Sequence, residues 1–145
     1  MSLIVKTVTR VTIGIIFLFG GYIVAHGHLT PGGGFAGGVI LALGYVLYVL
    51  AYGKKEAEEK LSKNIASVIE SLGGIMFLSI AMIGFTGGYF FLNVLPKGIP
   101  GSIFSAGIIP LCNFAIMLKV AAGLYAVFLV LVVFRVAARK EEEKE

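Results

Sequence analysis

The sequence predicts an all-α, polytopic membrane protein with four transmembrane helices and both termini in the cytoplasm. Three observations lead to this fold class. The 145 residues are 58% hydrophobic, with a mean hydropathy of +0.97, whereas in soluble domains about half the residues are apolar and about a quarter are charged. The sequence contains apolar runs that are long enough to cross a bilayer, which takes about 20 residues of helix. The basic residues cluster outside those runs, and on one side of them.

The apolar runs set the domain organisation. They cover about residues 7–25, 31–52, 65–92 and 110–136, which we interpret as the spans of a single transmembrane domain over residues 1–145. The third run exceeds the minimum for spanning, so we expect its helix to tilt or to extend beyond the bilayer. The first run is not predicted to be a cleaved signal peptide, because no small-x-small cleavage site stands at its end.

Charged residues orient the spans in the membrane. Positive charges lie at Lys6 and Arg10 where the first span begins, in the charged loop 53–64, and in the charged C-terminal tail 137–145. The other two connections carry Lys97 and two histidines. Because positively charged segments stay on the cytoplasmic side, we expect both termini and the loop 53–64 inside a multi-pass protein of the plasma membrane.

The connection between the first two spans is a polar, glycine-rich turn, with the sequence HGHLTPGGGFAGG at residues 26–38. Histidine titrates near neutral pH, so His26 and His28 are candidates for an ion or proton path at the outer surface. The alternative is that they are solvated histidines in an interfacial loop. Thr30 is predicted to cap the second helix, with Pro31 at the first helical position. No metal site is predicted, since the two histidines lack a nearby carboxylate or a third histidine.

Glycines spaced by four residues predict close contacts between helices, because small residues at this spacing let helix backbones approach each other in lipid. The pairs are Gly33 with Gly37, Gly34 with Gly38, and Gly84 with Gly88. The third span adds a small and polar face that consists of Ser67, Glu70, Ser71 and Gly74. A chain of four helices has few internal places for such faces. We therefore expect partner subunits, or else further copies of the chain, to cover them.

Two charged side chains fall well inside the predicted spans, away from their basic flanks. Ionisable residues at membrane depth are costly and usually functional, so Glu70 and Lys119 are candidates for the ion or proton path. The alternatives are a glutamate at the interface and a lysine that reaches back to it. The two residues enter from opposite sides of the membrane, with roughly 10 Å of depth between them. We therefore predict no direct contact between Glu70 and Lys119. Cys112 stands among apolar residues and is interpreted as inert.

Two sequence motifs, in this order along the chain, resemble those of a known protein family. The first is the turn at residues 26–38, and the second is PGSIFSAGIIPLCN at residues 100–113, followed by LKVAAGL at residues 118–124. With the four-span layout, they make the chain similar to the B-type subunit of multisubunit Na+/H+ antiporters of the Mrp or Mnh type. Related subunits occur in archaeal membrane-bound hydrogenase-type respiratory complexes and in their sulfur-reducing relatives. The short chain and its Lys- and Glu-rich flanks resemble the archaeal group.

The resemblance implies a non-catalytic membrane subunit of a sodium- and proton-translocating complex. It implies other membrane subunits as partners, Na+ and H+ as transported ions, and redox centres in other chains of a parent complex that is a ferredoxin-linked oxidoreductase. We expect no catalytic residue, cofactor or nucleic-acid partner for this chain, which has no CxxC motif and no basic patch interleaved with exposed aromatics. The alternatives are the same B-type component in a stand-alone antiporter and a structural clamp between neighbouring membrane subunits. The candidate residues for the ion or proton path are His26, His28, Pro31, Phe35, Glu70 and Lys119.

Overall fold

The computed structural model describes the backbone of residues 2–103 and 105–142, and the side chains of residues 2–103 and 105–135. The helices are α1 (Leu3–Ala25), α2 (Gly33–Tyr52), α3 (Lys54–Lys60), α4 (Lys63–Ile83) and α5 (Ile109–Glu142). Among the described residues, α1, α2, α4 and α5 are the four helices long and apolar enough to cross a membrane. The predicted fold class, an all-α protein with four spans, is confirmed. The side of the membrane on which the termini lie stays a prediction.

The spanning helices stand in the order α1, α2, α5, α4. Helix α1 packs along α2, α2 packs along α5, and α5 packs along α4. Within the described part of the chain, α4 makes no comparable contact with α1 or α2, so it forms one edge of the bundle. We call the end with Lys6, Arg10 and α3 the basic end. The opposite end, with the turn 26–32 and the segment 88–108, is called the histidine end.

Local sequence explains where several helices begin. Ser2 precedes α1 and accepts a hydrogen bond from the N–H of Val5 at 3.4 Å. Ser62 precedes α4 and accepts one from the N–H of Ile65 at 3.3 Å. A serine in this position satisfies one of the free N–H groups that begin every helix. At the basic end the core is tied to the loop before α4, since the buried Tyr125 hydroxyl donates to the Leu61 carbonyl at 3.0 Å.

Helix α4 ends earlier than the predicted span 65–92. It stops at Ile83, and a 3-10 turn at Gly84–Gly87 follows. The chain then reverses at Gly88, whose φ is 105°, and the Phe91 N–H donates back to the Ala81 carbonyl at 3.2 Å. Glycine permits this reversal because it adopts positive φ without steric cost. The apolar residues after the turn extended the hydropathy signal beyond the helix, which is why the sequence-based boundary is wrong.

The same reversal overturns one predicted helix–helix contact. Gly84 faces its own returning loop, and a Cβ there would lie 2.5 Å from the Leu92 nitrogen. Gly88 lies past the helix end, with no neighbour within 4 Å of a Cβ placed on it. The spacing of Gly84 and Gly88 therefore serves a turn in this chain rather than a helix-packing face, and that prediction is wrong.

The predicted cap of α2 is also wrong. The helix begins at Gly33, two residues after Pro31, and Gly32 before it has a φ of 136°. Thr30 instead donates its hydroxyl proton to the His26 carbonyl at 3.2 Å, within the turn that ends α1. A short polar side chain can hydrogen-bond to nearby backbone in a turn as readily as at the start of a helix. The helix begins within the run of glycines at 32–34 rather than directly after Thr30.

Candidate functional site

The glycines at the start of α2 bring three helices into close contact. A Cβ on Gly37 would overlap the Val24 side chain and lie 3.0 Å from the Gly20 carbonyl oxygen, both on α1. A Cβ on Gly34 would overlap the backbone carbonyl of Asn113 on α5. One on Gly38 would lie 3.1 Å from the Met117 carbonyl oxygen, also on α5. The overlapping glycine pairs thus serve two different neighbours, and both contacts lie inside this chain.

Asn113 is a site residue to which the sequence analysis gave no role. Its Oδ1 accepts a hydrogen bond from the Gly34 N–H at 3.3 Å, so a side chain of α5 caps the first turn of α2. This matters because α2 has no cap from its own preceding residues. The Asn113 Nδ2 is buried and makes no hydrogen bond to the residues that the structure describes. An asparagine in the first turn of an apolar span was the available signal, but its partner lies 79 residues away.

The two histidines make separate local contacts. His28 Nε2 lies 3.1 Å from the Ser102 carbonyl oxygen, so this nitrogen carries the proton and ties the turn 26–32 to the segment 88–108. His28 Nδ1 is buried and unpaired among the described residues. His26 stacks on Tyr22 with ring centroids 4.1 Å apart, and its Nδ1 lies 3.1 Å from the Tyr22 carbonyl oxygen. The first of these contacts joins two segments, whereas the second stays within the end of α1.

Pro31 and Phe35 do not converge with the histidines on a pocket. Pro31 is exposed in the turn before α2. The Phe35 ring, in the first turn of α2, is 65% exposed at the surface of the chain. In the membrane this ring faces lipid or another protein. Among the described residues, no group of three or more His, Cys, Asp and Glu side chains is placed to hold a metal ion.

The charged pair inside the membrane corrects the sequence analysis. Lys119 Nζ lies 3.4 Å from Glu70 Oε1, so the prediction of no contact between these residues is wrong. Both side chains remain open to the outside of the chain, with 55% of the lysine and 38% of the glutamate exposed. The pair thus lies on the surface of the isolated subunit. Glu70 is seven residues after the start of α4, roughly 10 Å along the helix at 1.5 Å per residue.

The packing of α4 on α5 explains the error. The helices cross where Gly73 meets the α5 backbone, and a Cβ on Gly73 would lie 2.8 Å from both the Ala115 carbonyl oxygen and the Lys119 nitrogen. Glu70, one turn away, lies level with Gly123, whose Cβ position is 3.6 Å from the Glu70 Cδ. The sequence-based estimate of the depth difference between Glu70 and Lys119 counted residues from the ends of the spans. It included neither the way α4 is set against α5 nor the reach of the two flexible side chains.

Comparison with known proteins adds the family. The profile of the family described as "domain related to MnhB subunit of Na+/H+ antiporter" matches residues 4–126. A Staphylococcus aureus protein named as antiporter subunit mnhB2 is 34% identical over 81 residues, which cover 52% of this chain and 57% of that protein. An uncharacterized protein of Methanocaldococcus jannaschii is 34% identical over 125 residues, 81% of this chain and 45% of that protein.

A solved structure is also similar. A chain of the membrane-bound sulfane sulfur reductase, an archaeal respiratory membrane complex, superposes with a TM-score of 0.75 at 34% identity, and the match covers 90% of this chain and 58% of that one. The chain thus spans about half the length of the relatives it matches. The family profile, in contrast, covers most of the chain and includes the histidine turn, Glu70 and Lys119. The protein is therefore a multi-pass membrane protein that belongs to the MnhB-related family.

Proposed function

We propose that this chain is a non-catalytic membrane subunit of a multisubunit sodium- and proton-translocating complex. The observation that carries the proposal is the MnhB-related domain over residues 4–126, which takes in the first three spanning helices and most of the fourth. The family description names a subunit of a Na+/H+ antiporter. Transport in such a complex needs further membrane subunits, which are the partners that we propose for this chain.

For the parent complex we propose an archaeal respiratory complex of the hydrogenase or sulfur-reducing type. The support is the similarity to a chain of the sulfane sulfur reductase complex, which covers 90% of this chain. Chemistry in such a complex would take place in other subunits. The alternative is a stand-alone antiporter, which the similarity to the staphylococcal protein favours. Mass spectrometry of the complex purified through a tag on this chain separates the two, since co-purifying iron–sulfur subunits occur only in the first.

Within this complex, Glu70 and Lys119 are the residues that we propose to act on the ion or proton path. A charged pair at membrane depth is expensive unless protein or water surrounds it. Because the pair is part-exposed on the isolated chain, its field reaches beyond the chain's own surface. His26, His28, Pro31 and Phe35 would then shape the outer opening of that path, at the end where His28 joins two connecting segments.

The test is sodium transport by the intact complex in proteoliposomes. Na+ uptake driven by a pH gradient is measured for the wild type, Glu70→Gln and Lys119→Met, after subunit composition has been checked. We expect both variants to assemble and to lose most uptake. The control is Lys55→Ala, which removes an exposed charge from α3. Purification of this chain without partners would contradict the proposed function. Full uptake by both assembled variants would contradict only the role of the charged pair.

The second candidate function is a structural clamp between neighbouring membrane subunits. The observation in its favour is the close packing at the histidine end, where the glycines of α2 meet the backbones of α1 and α5. A clamp depends on a rigid surface rather than on charge at any one site. Under this function, Glu70→Gln and Lys119→Met complexes keep their subunits and their uptake. Gly34→Ala, which disturbs the close contact with α5, would instead make the complex lose subunits during purification.

A further inference from the structure

The Glu70–Lys119 pair lies on the side of α4 that faces away from the bundle. On the opposite side of the α4–α5 contact, Ile69, Leu118 and Ala121 help to line an apolar cavity of about 320 Å³ that α1 and α2 also border. The pair instead lies beside Gly74 and Gly123, beyond the crossing point at Gly73. Since α4 is the edge helix, this surface has no neighbour within the described part of the chain.

The surface continues along α4 as a shallow groove with both polar and apolar side chains in its lining. Asn64, Ser67 and Ser71 lie on one side of the helix at spacings of three and four residues, and all three are exposed. With the larger side chains of Val68, Leu72 and Ile75 they line a groove of about 300 Å³. We call Asn64, Ser67 and Ser71, together with Glu70, Gly74 and Lys119, the α4 polar face. Small residues between larger ridges form the shape into which a second helix packs.

Lipid does not satisfy the charges on this face. A lysine ammonium has three N–H donors, and a carboxylate accepts at both oxygens. The contact between Lys119 Nζ and Glu70 Oε1 is 3.4 Å long and uses one of each. Acyl chains offer no hydrogen-bonding group to the rest. Because the lysine is the more exposed member of the pair, the group that complements this surface is an oxygen acceptor, such as a carboxylate, hydroxyl or amide oxygen.

A second copy of this chain complements the face poorly. Copies in one membrane share their orientation, so a two-fold axis between them runs along the membrane normal and brings equal residues together at equal depth. A symmetric contact through the α4 polar face brings a second Lys119 only together with a second Glu70, so it supplies no acceptor in excess of the ammonium groups. A different polypeptide has no such constraint.

We infer that the α4 polar face is the docking surface for a transmembrane helix of a different subunit, one with small side chains opposite Ser67 and Ser71 and an oxygen acceptor beside Lys119. The inference rests on the proposed function, because it requires a multisubunit complex. Beyond the proposed function, the inference identifies the helix of this chain that contacts the neighbouring subunit and the kind of side chains that the neighbour places there.

The test is site-specific photo-crosslinking in the assembled complex. A benzophenone amino acid replaces Ser67 on the face, and in the matched control it replaces Ile65. Ile65 lies about 3 Å away along the helix axis and points about 160° away around the helix. It is 51% exposed and does not line the groove. We expect position 67 to crosslink to a transmembrane peptide of a different subunit with a yield several-fold above that of position 65. Lys119→Met should lower that yield, and the crosslinked peptide should contain an oxygen-bearing side chain at the depth of Lys119.

Four results would overturn the inference. They are crosslinks to a second copy of this chain, crosslinks to lipid alone, equal yields at positions 67 and 65, and a captured helix with no oxygen-bearing side chain near Lys119. The subunit composition of the same sample is read by mass spectrometry. If partners co-purify and the crosslinks fail, the docking face is wrong and the proposed function stands. If this chain purifies alone, the proposed function itself fails.

Discussion

The histidine end and the α4 polar face handle polar groups in opposite ways. At the histidine end, glycines allow backbones so close that Asn113 of α5 bonds the first turn of α2, and His28 bonds the Ser102 carbonyl. At the α4 polar face, Glu70 and Lys119 meet each other and still remain part-exposed. The first region makes its main contacts within the chain, although His28 Nδ1 and Asn113 Nδ2 are buried without a hydrogen-bond partner among the described residues. The second region is the surface that we propose a neighbouring subunit covers.

The largest effect is expected from Gly34→Ala, which tests whether the histidine end is close-packed. The new Cβ would overlap the Asn113 backbone. Backbone atoms in a helix cannot move aside as a flexible side chain does, and overpacking typically costs about 1–3 kcal/mol. We expect a clear drop in the midpoint of thermal unfolding of the detergent-solubilised protein.

The matched control for this prediction is Gly14→Ala in α1, where a Cβ meets nothing within 4 Å. Alanine is the better helix former by about 1 kcal/mol, so this variant should be neutral or slightly stabilised. An unchanged midpoint for Gly34→Ala would mean that α2 and α5 can separate at no cost, and the contrast between the two regions would be lost.

The next largest effect tests the other side of the comparison, through a double-mutant cycle on Glu70 and Lys119. Removing one member of a buried ion pair leaves an uncompensated charge, at a cost of about 3–5 kcal/mol when burial is complete. Part-exposure reduces this cost for the isolated chain. We expect Glu70→Gln and Lys119→Met each to lower the unfolding midpoint of the assembled complex, and the double variant to lose less than the sum of the two losses.

A second ion pair in the same chain provides the control. Lys54 and Glu58 on α3 lie 3.5 Å apart, and both side chains are 38% exposed. Pairs in water contribute about 0–1 kcal/mol, so the equivalent cycle on α3 should show little coupling. Equal coupling in both cycles would indicate that Glu70 and Lys119 are solvated, and the case for a covering subunit would weaken.

The parts of the structure that follow from local sequence were predicted, and the parts that depend on helix register were not. Length and hydropathy were enough for four spans. The end of α4 was missed because the residues after Gly84 are apolar yet turn back at Gly88. Hydropathy measures preference for lipid and contains no information on backbone direction.

The candidate site shows the same division. The residues that carry charge at membrane depth were found from composition alone, since Glu70 and Lys119 stand out in apolar runs. Their contact was not, because it depends on how Gly73 sets α4 against the α5 backbone. The Asn113 cap likewise joins residues 79 positions apart. Neither spacing nor periodicity within one helix encodes such a relation.

A smaller effect is expected from Asn113→Ala, which sharpens the account of the histidine end. The substitution removes the acceptor of the Gly34 N–H, and loss of a helix cap costs about 0.5–2 kcal/mol. The control is Thr12→Ala, because the exposed Thr12 hydroxyl bonds only the Val8 carbonyl of its own helix. We expect a lower unfolding midpoint for Asn113→Ala alone. Equal midpoints would show that α2 does not depend on α5 for its start.

The smallest effect on stability is expected from His28→Ala, which decides how the histidine turn contributes. The variant loses one hydrogen bond, from Nε2 to the Ser102 carbonyl, and such a bond contributes about 0.5–1.5 kcal/mol. His26→Ala is the control, because its ring contacts only the end of its own helix. If His28 serves only to hold the turn against the Ser102 segment, His28→Ala lowers both the unfolding midpoint and the retention of subunits, and Na+ uptake per assembled complex stays normal. If assembly and stability are unchanged while Na+ uptake falls, the imidazole acts on the ion or proton path itself. The histidine end would then contribute to transport and not only to the stability of this chain.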